Sequence, residues 1–303
     1  SPDEIFVSDG AKCDVGNFQE LFSRDARIAV LDPVYPVYVD TNVMGGRSGA
    51  YDELKHGYER IVYLKATAEN GFVPELPATP VDVIYLCYPN NPTGAIMTRT
   101  DLEDLADVVV ENDLMVISDE VYSKLTYSGT HASFAQLEGM QDRTIILNGL
   151  SKSHAMTGWR VGFALGDPAL IGAMTKVHQY TMLSAPTMAQ VAALEVLQNG
   201  EEGMLKMKHE YDLRRRMFVS GLNRIGLDCF EPRGAFYAFP SIKAWGLSSE
   251  KFAERLLKEQ KVAVVPGSVF GPSGEGLLRC SYATSREELI EALDRIEKFL
   301  AGI

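Results

Sequence analysis

Residues 81–119, VDVIYLCYPNNPTGAIMTRTDLEDLADVVVENDLMVISD, hold two short apolar runs on either side of a helical stretch. The runs VDVIYLCYP (81–89) and LMVISD (114–119) are nearly continuous in apolar residues, the pattern of strands covered on both faces. Between them TRTDLEDLADVVVENDL repeats apolar residues at helical spacing after a Thr/Asp start. Working outward, the same kind of run recurs as EIFVS (4–8), RIAVLD (27–32), RTIILNG (143–149) and RVGFALG (160–166). This alternation predicts an α/β fold, a mostly parallel sheet with helices on both faces, over residues 1–204. Residues 187–226 read as two helices broken at NGEEG, the second long and charged and able to bridge to a smaller unit. From 205 to 303 short strands (AFYAFP, VAVVPG, LLRCSYA) alternate with amphipathic helices (SEKFAERLLKEQ, REELIEALDRIEKFLAG), which predicts a smaller α+β C-terminal domain. There is no internal repeat and no low-complexity tract.

The chain has 303 residues, 46% hydrophobic and 23% charged, the profile of an ordinary soluble globular protein with a substantial core. A net charge of −12 argues against nucleic-acid or anionic-membrane partners, which would be repelled. The four cysteines are far apart and the five histidines show no ligand spacing, so neither a disulfide framework nor a metal site is expected. No basic-then-apolar leader and no bilayer-length apolar run is present, and the expected compartment is the cytoplasm. The opening SPDEIFVSDGAKCD enters a strand-like run at once, which suggests that a leading segment is missing.

Ligands of open α/β sheets bind at the C-terminal ends of the strands. The first strand runs into SDGAKCD, a Gly turn that could present backbone N–H groups to a phosphate at a helix start. The second runs into DPVYPVY, placing Tyr35 or Tyr38 at the rim, and the third into YPNNPTG, with two amides and a rigid turn. The fourth ends in SDEVY, which supplies Asp119 and Tyr122. The fifth delivers Ser151 and Lys152, and Arg160 opens the next. Each has a bland alternative. NPTG is a good β-turn, Asp119 could cap a helix, the tyrosines could be core, Arg160 could pair at the surface, and Lys152 could be an ordinary surface lysine. One ligand with a phosphate, a flat ring, a basic ring nitrogen, a phenolic oxygen and an aldehyde accounts for all of them together.

In this order the motifs NNPTG, SDEVY, SKSHAMTGWRVG and LLRCSYATS resemble the fold-type I, pyridoxal 5′-phosphate-dependent aminotransferases of class I/II, over essentially the whole chain. The resemblance implies that Lys152 attaches the cofactor and then acts as base at the substrate α-carbon. It implies that Asp119 pairs with the pyridine nitrogen, that Asn91 and Tyr122 bond the phenolic oxygen, and that Tyr35 stacks on the ring. The phosphate would lie against the N–H groups of Ala11 and Lys12, the Ser151 hydroxyl and Arg160, and Arg279 would clamp the substrate carboxylate. Many relatives carry Ser or Thr where this chain has Gly149. In relatives a leading segment also supplies substrate contacts and a tyrosine for the neighbouring subunit's phosphate.

The first part, SPDEIFVSDGAKCD through YLCYPNNPTGA, is similar to LL-diaminopimelate aminotransferases, in which Lys12, Tyr35 and Asn91 would also face the substrate. From SDEVYSKLTY onward the chain is more similar to aspartate, aromatic or alanine aminotransferases. The expected reaction is transfer of an amino group to a 2-oxo acid such as 2-oxoglutarate, by a homodimer. A β-lyase of the same cofactor class and a non-catalytic scaffold are the alternatives.

Overall fold

The computed structural model describes residues 1–303. The chain begins with β1 (Ile5–Ser8), α1 (Ala11–Phe18), β2 (Ile28–Asp32) and α2 (Val37–Met44). A small hairpin of β3 (Tyr51–Asp52) and β4 (Gly57–Tyr58) leads to β5 (Ile61–Lys65). Then come β6 (Val83–Cys87), α3 (Arg99–Glu111), β7 (Met115–Asp119) and β8 (Thr144–Gly149), followed by α4 (Leu150–Ser153), β9 (Gly162–Leu165) and α5 (Pro168–Thr181). These form one seven-stranded sheet in the order β1-β9-β8-β7-β6-β2-β5. The run β5, β2, β6, β7, β8 is parallel, whereas β9 lies antiparallel to both β8 and β1. Two reversals leave β1 parallel to β8, so the C-terminal ends of β1, β2, β6, β7 and β8 share one edge.

Every residue of β2 and β6 is buried. Because successive side chains point to opposite faces, both faces of the sheet must be covered there. At the edge, β1 alternates exposed and buried residues. The helix α3 shows why its segment folds as it does. Thr98 accepts from the Asp101 N–H at 3.2 Å while the Asp101 carboxylate accepts from the Thr98 N–H at 2.7 Å, a reciprocal cap worth about 1 kcal/mol. Leu102, Leu105, Ala106 and Val109 then turn one stripe into the core.

Two features differ from the sequence reading. The edge strand β5 follows a hairpin directly, with no helix before it, and its short apolar run IVYL between Arg60 and Lys65 did not stand out as a strand. The helix break expected over NGEEG is a single residue: α6 (Thr187–Asn199) ends at Gly200, and α7 (Glu201–Arg224) resumes at once.

The remainder is β10 (Tyr237–Ala238), α8 (Ser249–Gln260), β11 (Val265–Pro266), β12 (Leu278–Ser281) and α9 (Arg286–Leu300), with an antiparallel sheet ordered β10-β12-β11. Its own core joins Phe218 and Leu222 of α7 to Phe252, Leu256, Leu293 and Phe299. A Cβ on Gly221 would lie 2.3 Å from Leu293 Cδ1, so the absence of a side chain there lets α7 and α9 touch. Buried Arg215 fastens α7 to the following loop through Glu231 and the Pro232 carbonyl and pairs with Asp212 one turn earlier on the same helix, so its charge is compensated. No helix is long and apolar enough to cross a membrane.

Candidate active site

A cavity of about 360 Å³ opens at the shared strand edge. Ala11, Lys12, Tyr35, Asn91, Asp119, Tyr122, Ser151, Lys152, Arg160 and Arg279, the ten residues singled out from the sequence, all line it. Tyr38, Gly149, Thr157 and Tyr237 line it as well.

At one end of the cavity, α1 begins with Gly10 as its cap and no side chain bonded to its first amides. Gly10 has φ +127°, and a Cβ there would meet Arg160 Nη2 at 2.4 Å, so the absence of a side chain lets that end of the guanidinium reach this turn. Gly162 fits as closely from below, since its Cβ would be 2.6 Å from the Ala11 nitrogen. The amides of Ala11 and Lys12, the positive end of α1, Arg160 and the Ser151 hydroxyl therefore form an anion cradle. The loop between Lys152 and Arg160 is pinned, with the Thr157 hydroxyl donating to the Ser151 carbonyl at 2.9 Å and Arg160 Nη1 donating to the Thr157 carbonyl at 3.0 Å. Gly149 also has a spatial reason: a Cβ would stand 3.2 Å from the Gly162 Cα and the Val161 carbonyl, leaving little room for the Ser or Thr of many relatives.

In the floor, Asp119 is buried at the end of β7. Its Oδ2 accepts from the Tyr38 hydroxyl at 2.6 Å and its Oδ1 from the Val121 N–H at 3.2 Å. Burial pushes this carboxyl up to about 6, against the pull of those two hydrogen bonds and of Lys152. No basic side chain forms a salt bridge with it, so a cationic ring nitrogen would restore its charge. Opposite stands Lys152, carried on α4 and half-buried. Burial lowers its ammonium below the ordinary lysine range; Asp119 opposes the shift, and Arg279 and Arg160 add to it. A lysine so placed is a better nucleophile than one in water.

Toward the mouth, Arg279 Nη1 donates to Asn91 Oδ1 at 2.9 Å. Because arginine can only donate, the Asn91 oxygen is the acceptor and its NH₂ is left to face a ligand. The Arg279 guanidinium lies between the rings of Tyr237, 4.6 Å away, and Phe270, 4.8 Å away, with no carboxylate paired to it. The Tyr122 hydroxyl, deeper in, meets the Tyr237 hydroxyl at 2.9 Å. Tyr35 stands edge-on to Tyr38, at 5.8 Å between ring centroids. Of the two rim tyrosines left open by the sequence, Tyr38 is fully buried against Asp119 and Tyr35 is the more exposed. Tyr237 and Gly162 were not foreseen: AFYAFP reads only as a strand, and a glycine inside RVGFALG gives no sign of what it lies against.

A buried carboxylate without a cation, a half-buried amine, an amide-lined anion cradle and an unpaired arginine fit pyridoxal 5′-phosphate group by group. Comparison with known proteins agrees. The family model described as "Aminotransferase class I and II" matches residues 2–296. The chain is 52% identical over 249 residues to the putative aminotransferase YugH of Bacillus subtilis, an alignment covering 79% of this chain but 64% of that protein. It is 39% identical over 314 residues to an LL-diaminopimelate aminotransferase of Methanosphaera stadtmanae, covering 97% of this chain and 75% of that one. Among solved structures, an aromatic aminotransferase from Pyrococcus horikoshii superposes with a TM-score of 0.91 at 39% identity, covering 99% of this chain and 80% of that one. The chain thus spans under two-thirds of the length of the first of these relatives. On the family match, the fold and the sequence identity together, this chain belongs to the class I and II aminotransferases, whose cofactor is pyridoxal 5′-phosphate.

Proposed function

We propose that this protein is a pyridoxal 5′-phosphate-dependent aminotransferase that moves an amino group from an amino acid to a 2-oxo acid such as 2-oxoglutarate, with LL-diaminopimelate as its donor in lysine biosynthesis. The observation that carries the reading is the convergence of an unpaired Lys152, an uncompensated Asp119 and an unpaired Arg279 on one cavity. When bound, the cofactor supplies a ring that accepts the electron pair left as the substrate α-C–H bond breaks. The chain does the rest. Lys152 anchors the cofactor and, once released, takes the α-proton and returns it elsewhere. Asp119 keeps a proton on the ring nitrogen, and Tyr38 keeps Asp119 in place. Asn91 and Tyr122 hold the phenolic oxygen, while Tyr35 packs on the ring. Ala11, Lys12, Ser151 and Arg160 hold the phosphate. Arg279 aligns the α-carboxylate, and Lys12, with Tyr35 and Asn91, faces the substrate side of the cavity.

The division into a cofactor-binding domain over 1–204 and a small domain over 205–303 belongs to this reading, which places the substrate between them. So does a homodimer. Met188, Val191, Leu194 and Leu197 form an exposed apolar row on α6, with Leu183 exposed just before it. A row of this kind suits burial against a second copy. A second donor class, aromatic or aspartate-like, is favoured by the similarity to the Pyrococcus aromatic enzyme.

The test is a panel of half-reactions on protein reconstituted with the cofactor, following loss of the lysine-bound cofactor's absorbance with LL-diaminopimelate, aspartate, alanine, phenylalanine and glutamate. LL-diaminopimelate should react fastest. A faster reaction with phenylalanine or aspartate moves the donor to the second class. Pyruvate and ammonia released from cystathionine without any 2-oxo acid would replace transamination by β-elimination.

A further inference from the structure

Tyr122 and Tyr237 come from different parts of the chain, 115 positions apart, and meet in the cavity wall with their hydroxyls 2.9 Å apart. Both are buried, and neither hydroxyl has another partner within the protein. Each phenol carries one proton, so one donates across the contact and the other keeps its proton free for something else. The surroundings break the tie. The Arg279 guanidinium lies over the Tyr237 ring at 4.6 Å, a cation that favours giving up the Tyr237 proton. Burial holds the proton on both phenols and Cys87 bears on both alike, whereas the Asp119 carboxylate bears on Tyr122 and holds its proton the more tightly. Tyr237 is thus the better donor and Tyr122 the acceptor, and the Tyr122 proton is left pointing into the cavity. A hydroxyl that accepts one hydrogen bond also donates a stronger one.

We propose that Tyr237 is a positioning residue for the cofactor's ring oxygen, acting through Tyr122 by fixing the direction and strength of that hydroxyl's donation. Its ring has a separate task, which is to hold the Arg279 guanidinium, 4.6 Å from the Tyr237 ring and 4.8 Å from the Phe270 ring, in place. The proposal rests on the reading that the cavity holds pyridoxal 5′-phosphate on Lys152, and it assigns two jobs to one side chain, hydroxyl and ring, that substitution can separate.

The experiment is a pH titration of the absorbance of the lysine-bound cofactor in wild type, Tyr237→Phe, Tyr122→Phe and the double variant. Loss of the Tyr237 hydroxyl should weaken Tyr122's donation, so that the bound cofactor keeps its proton to a pH about 0.5 to 1 unit higher. Tyr122→Phe should shift the midpoint further, and the double variant should match Tyr122→Phe alone, because Tyr237 acts only through Tyr122. Binding of succinate, a carboxylate that cannot react, should change less than about twofold in Tyr237→Phe and weaken about two- to fivefold in Tyr237→Leu, which removes the ring beneath Arg279. An unshifted midpoint in Tyr237→Phe, or a double variant whose shift equals the sum of the two single shifts, overturns the proposal. Failure of the wild-type protein to develop any lysine-bound absorbance is a different result: it overturns the cofactor reading and removes the basis of this one.

Discussion

The two edges of the large sheet make opposite kinds of concavity. At the C-terminal edge the cavity of about 360 Å³ gathers Lys12, Lys152, Arg160 and Arg279 around one buried carboxylate, Asp119. At the other edge, where β8 begins and β9 ends, a larger depression of about 820 Å³ is lined by Glu4, Glu138, Asp142 and Asp167 and by no basic side chain. On volume alone the second would be chosen. Yet in a chain of net charge −12 the concentration of four basic side chains in one cavity is the uncommon feature, and an anionic ligand is drawn to it and repelled from the acidic depression. The direction of the strands produces the difference. Parallel strands all end on one side, so the residues that follow them converge, and helix N-termini such as that of α1 add positive potential at the same edge.

This contrast can be broken most severely at Lys152. Lys152→Ala should abolish borohydride-trappable attachment of the cofactor, seen by mass spectrometry, and lower the half-reaction rate by about 10⁴-fold; a trapped adduct on that variant would sink the assignment. Next comes Arg279→Lys, which keeps the charge but loses the planar fork. KM for the amino acid should rise about 10- to 100-fold, with a smaller change in the affinity for the cofactor.

The third prediction concerns a buried acid just under the cationic edge. Asp14 is fully buried on α1, bonded through one oxygen to the Ser8 hydroxyl at 2.6 Å, with its other oxygen unpartnered. Burial pushes its carboxyl up to about 7, with Asp9 and Asp119 adding to the shift and the Ser8 hydrogen bond opposing it. A raised carboxyl favours the protonated native state, so its contribution is fully present below about pH 4 and fades as pH rises through about 7. Thermal melts of the cofactor-free protein should therefore show wild type losing stability relative to Asp14→Asn across that window, on the order of 4 kcal/mol in total. A constant difference between the two proteins would show that Asp14 is not held protonated. The smallest effect is expected at the opposite edge: Glu138→Gln and Asp142→Asn, both exposed, should change stability by less than about 0.5 kcal/mol and leave cofactor binding untouched. Loss of cofactor binding there would mean that the two edges had been wrongly contrasted.

The apolar runs and their helical spacers made most of the large sheet legible, because burial on both faces leaves a continuous run and a capped helix leaves a periodic one. The strand β5 was hidden by its shortness and by the hairpin before it. Most of the rim residues were legible because they follow a strand within a few positions, as Lys152 follows β8 and Asn91 follows β6, while Arg160 stands just before β9; all ten line the cavity. Arg279 was reached only through the family resemblance; by itself it reads as any strand-end arginine.

The sequence by itself determined most of the strands and helices, β5 and the hairpin before it excepted, and which residue types stand at their ends, since both depend on neighbours a few positions away. Only the tertiary structure decided that β1 enters the sheet beside an antiparallel β9, that Arg279 bonds Asn91 across 188 positions, and that the hydroxyls of Tyr237 and Tyr122 meet across 115. The physical reason is that local periodicity records which face of an element is buried and carries no record of its partner. Pairings over such distances are selected by packing of the whole chain, and the proton directions and charge balance of the cavity follow from those pairings.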